Sequence, residues 1–214
     1  MHVVIFTGGE LIKSQLVTDA IQSADLILAA DSGGCKAVAF GILPKAVIGD
    51  FDSLDAKTKH QLKQRQVVLK ISPSEKDETD TELAIEFAIE KSATEITLLG
   101  GISGDRIDHI LANLLYAVIS SVPITFINGQ QKSFVAKGPT TFDMLGKTND
   151  LLSLIPLQGD VKGLKSNGLK WELDDSVLVF GKPRGVSNVF LQETVSLSFT
   201  SGILFVTHTL PEQK

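Results

Sequence analysis

Residues 26–53 read LILAADSGGCKAVAFGILPKAVIGDFDS, and the fold class follows from how that stretch is built. Leu26–Ala30 is a short apolar run that ends on Asp31 and passes at once into Gly33-Gly34. Cys35–Phe40 has the length of a short helix. Ala46–Ile48 is a second apolar run, closed by Gly49-Asp50-Phe51-Asp52-Ser53. Strands joined through a helix lie parallel, and helices then cover both faces of their sheet, so such strands are apolar throughout.

The same pattern extends in both directions. Strands are expected at Val3–Thr7, Val67–Leu69, Glu95–Leu99 and Ile124–Ile127, and helices over Leu11–Ser23, Thr58–Arg65, Asp80–Lys91 and Ile107–Ser120. Thr79-Asp80-Thr81-Glu82 has capping-box spacing, and Leu83, Ala84, Phe87 and Ala88 continue it as an apolar face. Ile110, Leu111, Leu114, Leu115 and Val118 form the expected apolar face of the last helix, which stops before Pro123.

Beyond about Ser133 the character changes. Leu151–Ile155, Val161–Lys165, Leu169–Leu173, Val177–Phe180, Val195–Phe199 and Ile203–Val206 are short runs parted by Gly, Asn, Asp or Pro. Val195-Ser196-Leu197-Ser198-Phe199 alternates with period two, as a strand with one buried face does. The expected architecture is α/β over residues 1–130, followed by an all-β sandwich over 131–214, the boundary falling among the turn formers of Asn128–Pro139.

The chain has 214 residues, 43% of them apolar and 21% charged, so it has the material for a core and does not read as disordered. A net charge of -5 argues against nucleic acid or an anionic membrane as partner, because neither polyanion is drawn to a negative field. Cys35 is the single cysteine, which excludes an intramolecular disulfide and a thiolate metal cluster. The start of the chain reads as strand and turn, so no signal peptide or anchor is expected, and the expected compartment is the cytoplasm.

The acids carry the chemistry. Asp31, Asp50 and Asp52 each follow a strand, while Asp77 and Asp80 lead into a helix. In an open parallel sheet ligands sit beyond the carboxyl ends of the strands, so these carboxylates converge on one edge. Crowded carboxylates repel unless protons or cations intervene, and their hard oxygens suit Mg²⁺ together with phosphate. Turn and N-cap roles explain any one of them equally well; the set favours a metal site. Gly8-Gly9 and Gly100-Gly101 follow strands and let backbone N–H groups approach an anion, but no Walker loop or dinucleotide fingerprint is present. Arg106, His109 and Asn113 share one side of a helix, where Arg106 suits phosphate oxygens; His109 suits either loop support or substrate contact. A phosphatase with an aspartyl nucleophile is disfavoured, since Val3–Thr7 runs into glycines with no acid. A nucleotide-sugar transferase and a nucleotide-binding regulatory module stay open.

In order, Asp31-Ser32-Gly33, Ile48-Gly49-Asp50-Phe51-Asp52-Ser53, Lys76-Asp77 with Thr79-Asp80, Arg106 with Asp108-His109 and Asn113, Gly168-Leu169-Lys170-Trp171, Gly185-Val186-Ser187-Asn188 and Ser201-Gly202 resemble the thiamine pyrophosphokinase family over essentially the whole chain. Departures are mild: Val189 stands where an acid is common and Trp171 where many members carry tyrosine. The resemblance implies a Rossmann-like domain and a β-sandwich, working as a homodimer that converts ATP and thiamine into AMP and thiamine diphosphate. It implies Mg²⁺ on Asp50, Asp52 and Asp80, with Arg106 assisting the transfer. ATP would meet Gly9, Asp31, Gly33, Asp77, Gly101, Arg106 and His109, with Asn113 in support. Thiamine would meet Asp50 of one subunit and Trp171, Ser187 and Asn188 of the other.

Overall fold

The structure, a computed structural model, describes residues 1–211. They form two compact units, Met1–Gly129 and Gln130 onward. The first unit carries strands β1 (His2–Phe6), β2 (Leu26–Ala30), β3 (Ala46–Gly49), β4 (Val68–Ile71), β5 (Glu95–Leu99) and β6 (Ile124–Asn128). They lie in the order β6-β5-β1-β2-β3-β4, and each neighbouring pair is parallel. Val3, Val4, Ile5 and Phe6 of β1 are wholly buried, as the unbroken apolar run requires.

Helices α1 (Gln15–Gln22), α2 (Gly33–Ala39), α3 (Ala56–Gln64), α4 (Asp80–Glu90) and α5 (Ile107–Ile119) connect the strands. Three start on side-chain caps. Ser14, Asp55 and Thr79 accept hydrogen bonds from the backbone N–H groups of Val17, Thr58 and Glu82, which satisfies donors the helix itself leaves free. Ser14 also explains why α1 begins later than Leu11. The residues ahead of it bind the end of β6 instead, Ile12 N–H donating to Asn128 Oδ1 at 2.8 Å.

On α5 the expected apolar face is corrected. Leu111 and Leu115 are exposed, at 53% and 58%, while Asn113 and Ala117 are buried. The helix seats itself through a small alanine and a hydrogen-bonded asparagine, and this rotates the bulky leucines outward.

The second unit is a sandwich of antiparallel sheets. One has the order β12-β9-β14-β7, from β7 (Gln131–Lys137), β9 (Leu151–Pro156), β12 (Asn188–Val189) and β14 (Ile203–Thr209). The other has the order β11-β10-β13-β8, from β8 (Thr140–Leu145), β10 (Val161–Asn167), β11 (Ser176–Leu178) and β13 (Thr194–Phe199). Leu152, Leu154, Leu204 and Val206 from the first meet Val161, Leu164, Val195 and Leu197 from the second in one core. β7, β8 and β12 lie outside the expected strands. Leu169–Leu173, expected as a strand, is a turn with a single bridge to Phe190. Glu172 causes this: its carboxylate accepts hydrogen bonds from the N–H groups of Gly168 and Leu169 and from the Ser166 hydroxyl, folding the segment onto itself.

Asp150 and His208 make a buried pair in this unit, 2.7 Å apart, and Phe190 stacks on the imidazole with ring centroids 4.9 Å apart. Asp150 Oδ2 also accepts the Lys147 N–H at 2.9 Å. Asp150→Ala leaves both donors without a partner, and each such loss costs about 1–3 kcal/mol. The expected result is a clearly lower denaturant midpoint with an unchanged slope; an unchanged midpoint contradicts it.

No helix of the described residues is long and apolar enough to cross a membrane.

Candidate active site

The strand order places the site. The chain steps from β1 out to β4, then returns to the other side of β1 for β5, and an α/β sheet opens a crevice at such a reversal. Gly8-Gly9 leave β1 and Gly100-Gly101 leave β5 at this point. A Cβ on Gly9 would lie 2.1 Å from the Gly100 carbonyl oxygen, so only glycine allows the two loops to interlock. A cleft of about 650 Å³ opens there within the first unit.

Its acids are set by backbone geometry. Asp31 has φ 43°, and its N–H donates to the Ile48 carbonyl at 2.8 Å, tying the end of β2 to β3. Its carboxylate is buried, and Oδ1 has no hydrogen-bond partner among the described residues. Burial, then the neighbouring charges of Asp80 and Asp52, push this carboxyl above its usual range. Phe51 has φ 64° and buries its ring in the core beside Leu54, while the aspartates flanking it line the cleft. An aromatic residue in that backbone region costs on the order of 1–3 kcal/mol, and such strain gathers at functional sites. Asp52 N–H donates to Asp50 Oδ1 at 3.1 Å, and the Ser53 hydroxyl to Asp52 Oδ1 at 2.7 Å. Gly49, at φ 153°, makes the convergence possible: a Cβ there would sit 3.0 Å from Asp31 Cβ and 3.2 Å from Asp80 Cγ.

Asp31, Asp50 and Asp52 offer carboxylate oxygens within 4.8 Å of one another. The expected metal set has Asp80 in place of Asp31. Asp80, at the start of α4, stands next to Asp31 across Gly49, and its Oδ1 accepts from the Lys76 ammonium at 2.6 Å, which also donates to Ser72 Oγ at 2.8 Å. The orphaned buried oxygen of Asp31 and the two carboxylates beside it, hard donors all, fit Mg²⁺.

On the β5 side, Gly101, Arg106, His109 and Asn113 line the cleft. Asn113 is buried and donates to the Gly101 carbonyl at 2.7 Å, so it pins the glycine loop. Arg106 is exposed and makes a two-pronged pair with Asp108, at 2.9 and 2.6 Å, which draws the Asp108 carboxyl far below its usual range. His109 is exposed, and its ring has no hydrogen bond among the described residues. Gly33 and Asp77, both expected to touch nucleotide, are not among the cleft residues. Gly33 packs α2 against β1, and Asp77 faces solvent ahead of α4. Glu10, Lys36 and Asp105 line the cleft as well, and sequence reasoning missed them. No motif marks them; they arrive through loop and helix placement.

In the second unit Trp171 is 55% exposed, and so is not a core residue. Asn188 brackets it, accepting the Trp171 N–H at 3.0 Å and donating to the Trp171 carbonyl at 2.7 Å. Ser187 is anchored alongside, its N–H donating to Ser153 Oγ at 3.0 Å. The three residues singled out in this unit therefore stand together, with the Lys170 ammonium 4.8 Å over the exposed indole.

Two family models cover these parts. Residues 17–125 match the thiamin pyrophosphokinase catalytic domain, and residues 142–204 match the thiamin pyrophosphokinase vitamin B1 binding domain. Thiamine pyrophosphokinase of Bacillus subtilis (strain 168) is 31% identical over 185 residues, 85% of this chain and 86% of the relative. The chain belongs to the thiamine pyrophosphokinase family. Solved structures agree with this membership. Thiamine pyrophosphokinase from Bacillus subtilis superposes with a TM-score of 0.86 at 26% identity, over 99% of this chain and 100% of that one. Thiamin pyrophosphokinase from Geobacillus thermodenitrificans gives 0.84 at 26% identity, over 100% and 99%. Membership in the family disfavours the nucleotide-sugar transferase and the regulatory module that the motifs alone left open.

Proposed function

We propose that this member of the thiamine pyrophosphokinase family is an ATP:thiamine diphosphotransferase, moving the terminal diphosphoryl group of ATP to the thiamine hydroxyl and releasing AMP. Within the family, the observation that carries this reading is the aspartate group at the sheet's switch point, with one buried Asp31 oxygen unpartnered. Asp31, Asp50 and Asp52 would hold Mg²⁺, and Asp80 adds negative charge beside Asp31. When bound there, the metal would supply positive charge that offsets the negative charge developing on the phosphate chain.

The chain's own groups do the rest. The Arg106 fork, on leaving Asp108, offers two parallel N–H donors to phosphate oxygens. Asn113 holds the Gly100-Gly101 loop, whose backbone faces the donor, and His109 lies on the same cleft wall. A cleft carboxylate orients the thiamine hydroxyl and accepts its proton late in the transfer, which needs no strong base. The cationic thiazolium ring is drawn to an acidic cleft and favours an aromatic face.

We place that face on the partner subunit of a homodimer, as Trp171 with Ser187 and Asn188. Support for self-association comes from an apolar stripe on α5, where Ile107, Leu111, Leu115 and Ile119 recur every four residues and are all exposed. The cytoplasm is the compartment we assign, since its reducing conditions suit a chain with a single cysteine.

The expected result with ATP labelled at the γ-phosphorus is label in thiamine diphosphate and AMP as the second product. ADP with thiamine monophosphate would overturn the assigned bond cleavage.

A further inference from the structure

Lys36 lines the same cleft as Glu10, Asp31, Asp50, Asp52, Asp80 and Asp105, yet among the described residues its ammonium makes no hydrogen bond or ion pair. The other permanent cation of the cleft, Arg106, is already paired with Asp108 at 2.6 Å. Lys36 therefore supplies the cleft's uncommitted positive charge.

Its position is set by packing. A Cβ on Gly33 would fall 2.0 Å from the Phe6 carbonyl oxygen, and one on Gly34 would lie 3.2 Å from Leu54 Cδ1. The start of α2 thus lies hard against β1. Lys36 leaves the first turn of α2, which opens just after Asp31, and is half-buried, so its stem is partly ordered before any ligand arrives.

A polyanionic phosphate chain entering a cleft with six carboxylates meets repulsion that a metal alone offsets only locally. We infer that Lys36 binds the phosphate chain of the nucleotide donor, as a point charge reaching oxygens not held by the metal site. This rests on the donor reading above. It adds a contact to phosphate that no motif in the sequence marks. The competing role for Lys36 is to offset the neighbouring carboxylates and touch no ligand.

The experiment is calorimetric titration of the full chain with α,β-methylene-ATP, whose bridging carbon blocks the cleaved bond, at fixed excess Mg²⁺ and without thiamine. Wild type, Lys36→Met and Lys36→Arg are compared, and each is also titrated with Mg²⁺ alone. Loss of a hydrogen bond to a charged group is expected to weaken analogue binding in Lys36→Met about 10- to 100-fold. Lys36→Arg keeps the charge and is expected to recover most of that loss. In turnover assays the ATP KM rises in Lys36→Met, while the thiamine KM stays within about twofold, since a point charge meant for phosphate does not contact the acceptor. Equal analogue affinity in wild type and Lys36→Met overturns the inference, and tighter binding of Mg²⁺ alone in that variant then assigns Lys36 to charge offset. Lys36→Arg as weak as Lys36→Met also overturns it, because charge is then not what binds. If wild type itself fails to bind the analogue, the donor reading falls first.

Discussion

Asp50→Asn is expected to lower the turnover number at least ~100-fold at saturating Mg²⁺, the lower end of what a placed proton-transfer or charge-bearing group supplies. Asparagine keeps the size and one oxygen but removes the charge from a three-carboxylate group whose oxygens lie within 4.8 Å. The Asp52 N–H can still find an oxygen at position 50, so the turn around Phe51 survives and the loss falls on chemistry. Near-normal turnover at low as well as high Mg²⁺ would remove Asp50 from the metal site. A loss that vanishes as Mg²⁺ is raised would make Asp50 a ligand of affinity alone.

Mixing two inactive proteins is expected to restore activity, which is the second large effect. One carries Asp50→Asn, damaging the α/β unit; the other carries Trp171→Ala with Asn188→Ala, damaging the sandwich. If each site joins the α/β unit of one subunit to the sandwich of its partner, a mixed dimer holds one doubly damaged site and one intact site. Trp171→Ala alone is expected to raise the thiamine KM by roughly 5- to 30-fold, the equivalent of about 1–2 kcal/mol for a partly desolvated cation over an aromatic face. The ATP KM should move much less. Because the indole is 55% exposed, this substitution opens no large core cavity, and thermal stability should hold. Mixed dimers that form, as shown by mass, and yet stay inactive would end the shared-site proposal and leave the metal site untouched.

Much of the first unit was legible because its signals are local. β2 (Leu26–Ala30) and β5 (Glu95–Leu99) coincide with their expected ranges, since a buried parallel strand writes its burial as an unbroken apolar run. α4 begins at Asp80 as its capping box indicates, because Thr79 meets the Glu82 N–H three residues on without help from elsewhere. The sandwich was less legible. β7 and β8 are half polar along their length, and their pairing partners lie about 50 to 75 residues away, in β13 and β14. Leu169–Leu173 alternates well enough to read as a strand, but Glu172 caps the preceding N–H groups and turns the chain. That competition depends on side-chain reach and leaves no mark in the apolar pattern.

By itself the sequence determined the parallel α/β unit, the change to antiparallel strands near residue 130, and the acids that follow β2 and β3, since each rests on periodicity or on neighbours in the chain. Its ordered motifs also pointed to the family. Only the tertiary structure decided which carboxylates stand together. Asp31 is beside Asp50 and Asp52 because Gly49 lets the ends of β2 and β3 close up, and Asp80 is held by a lysine four residues earlier. Likewise, only packing turned the α5 leucines outward and brought Lys36 into the cleft, because rotation about a helix axis is set by what fits against the sheet.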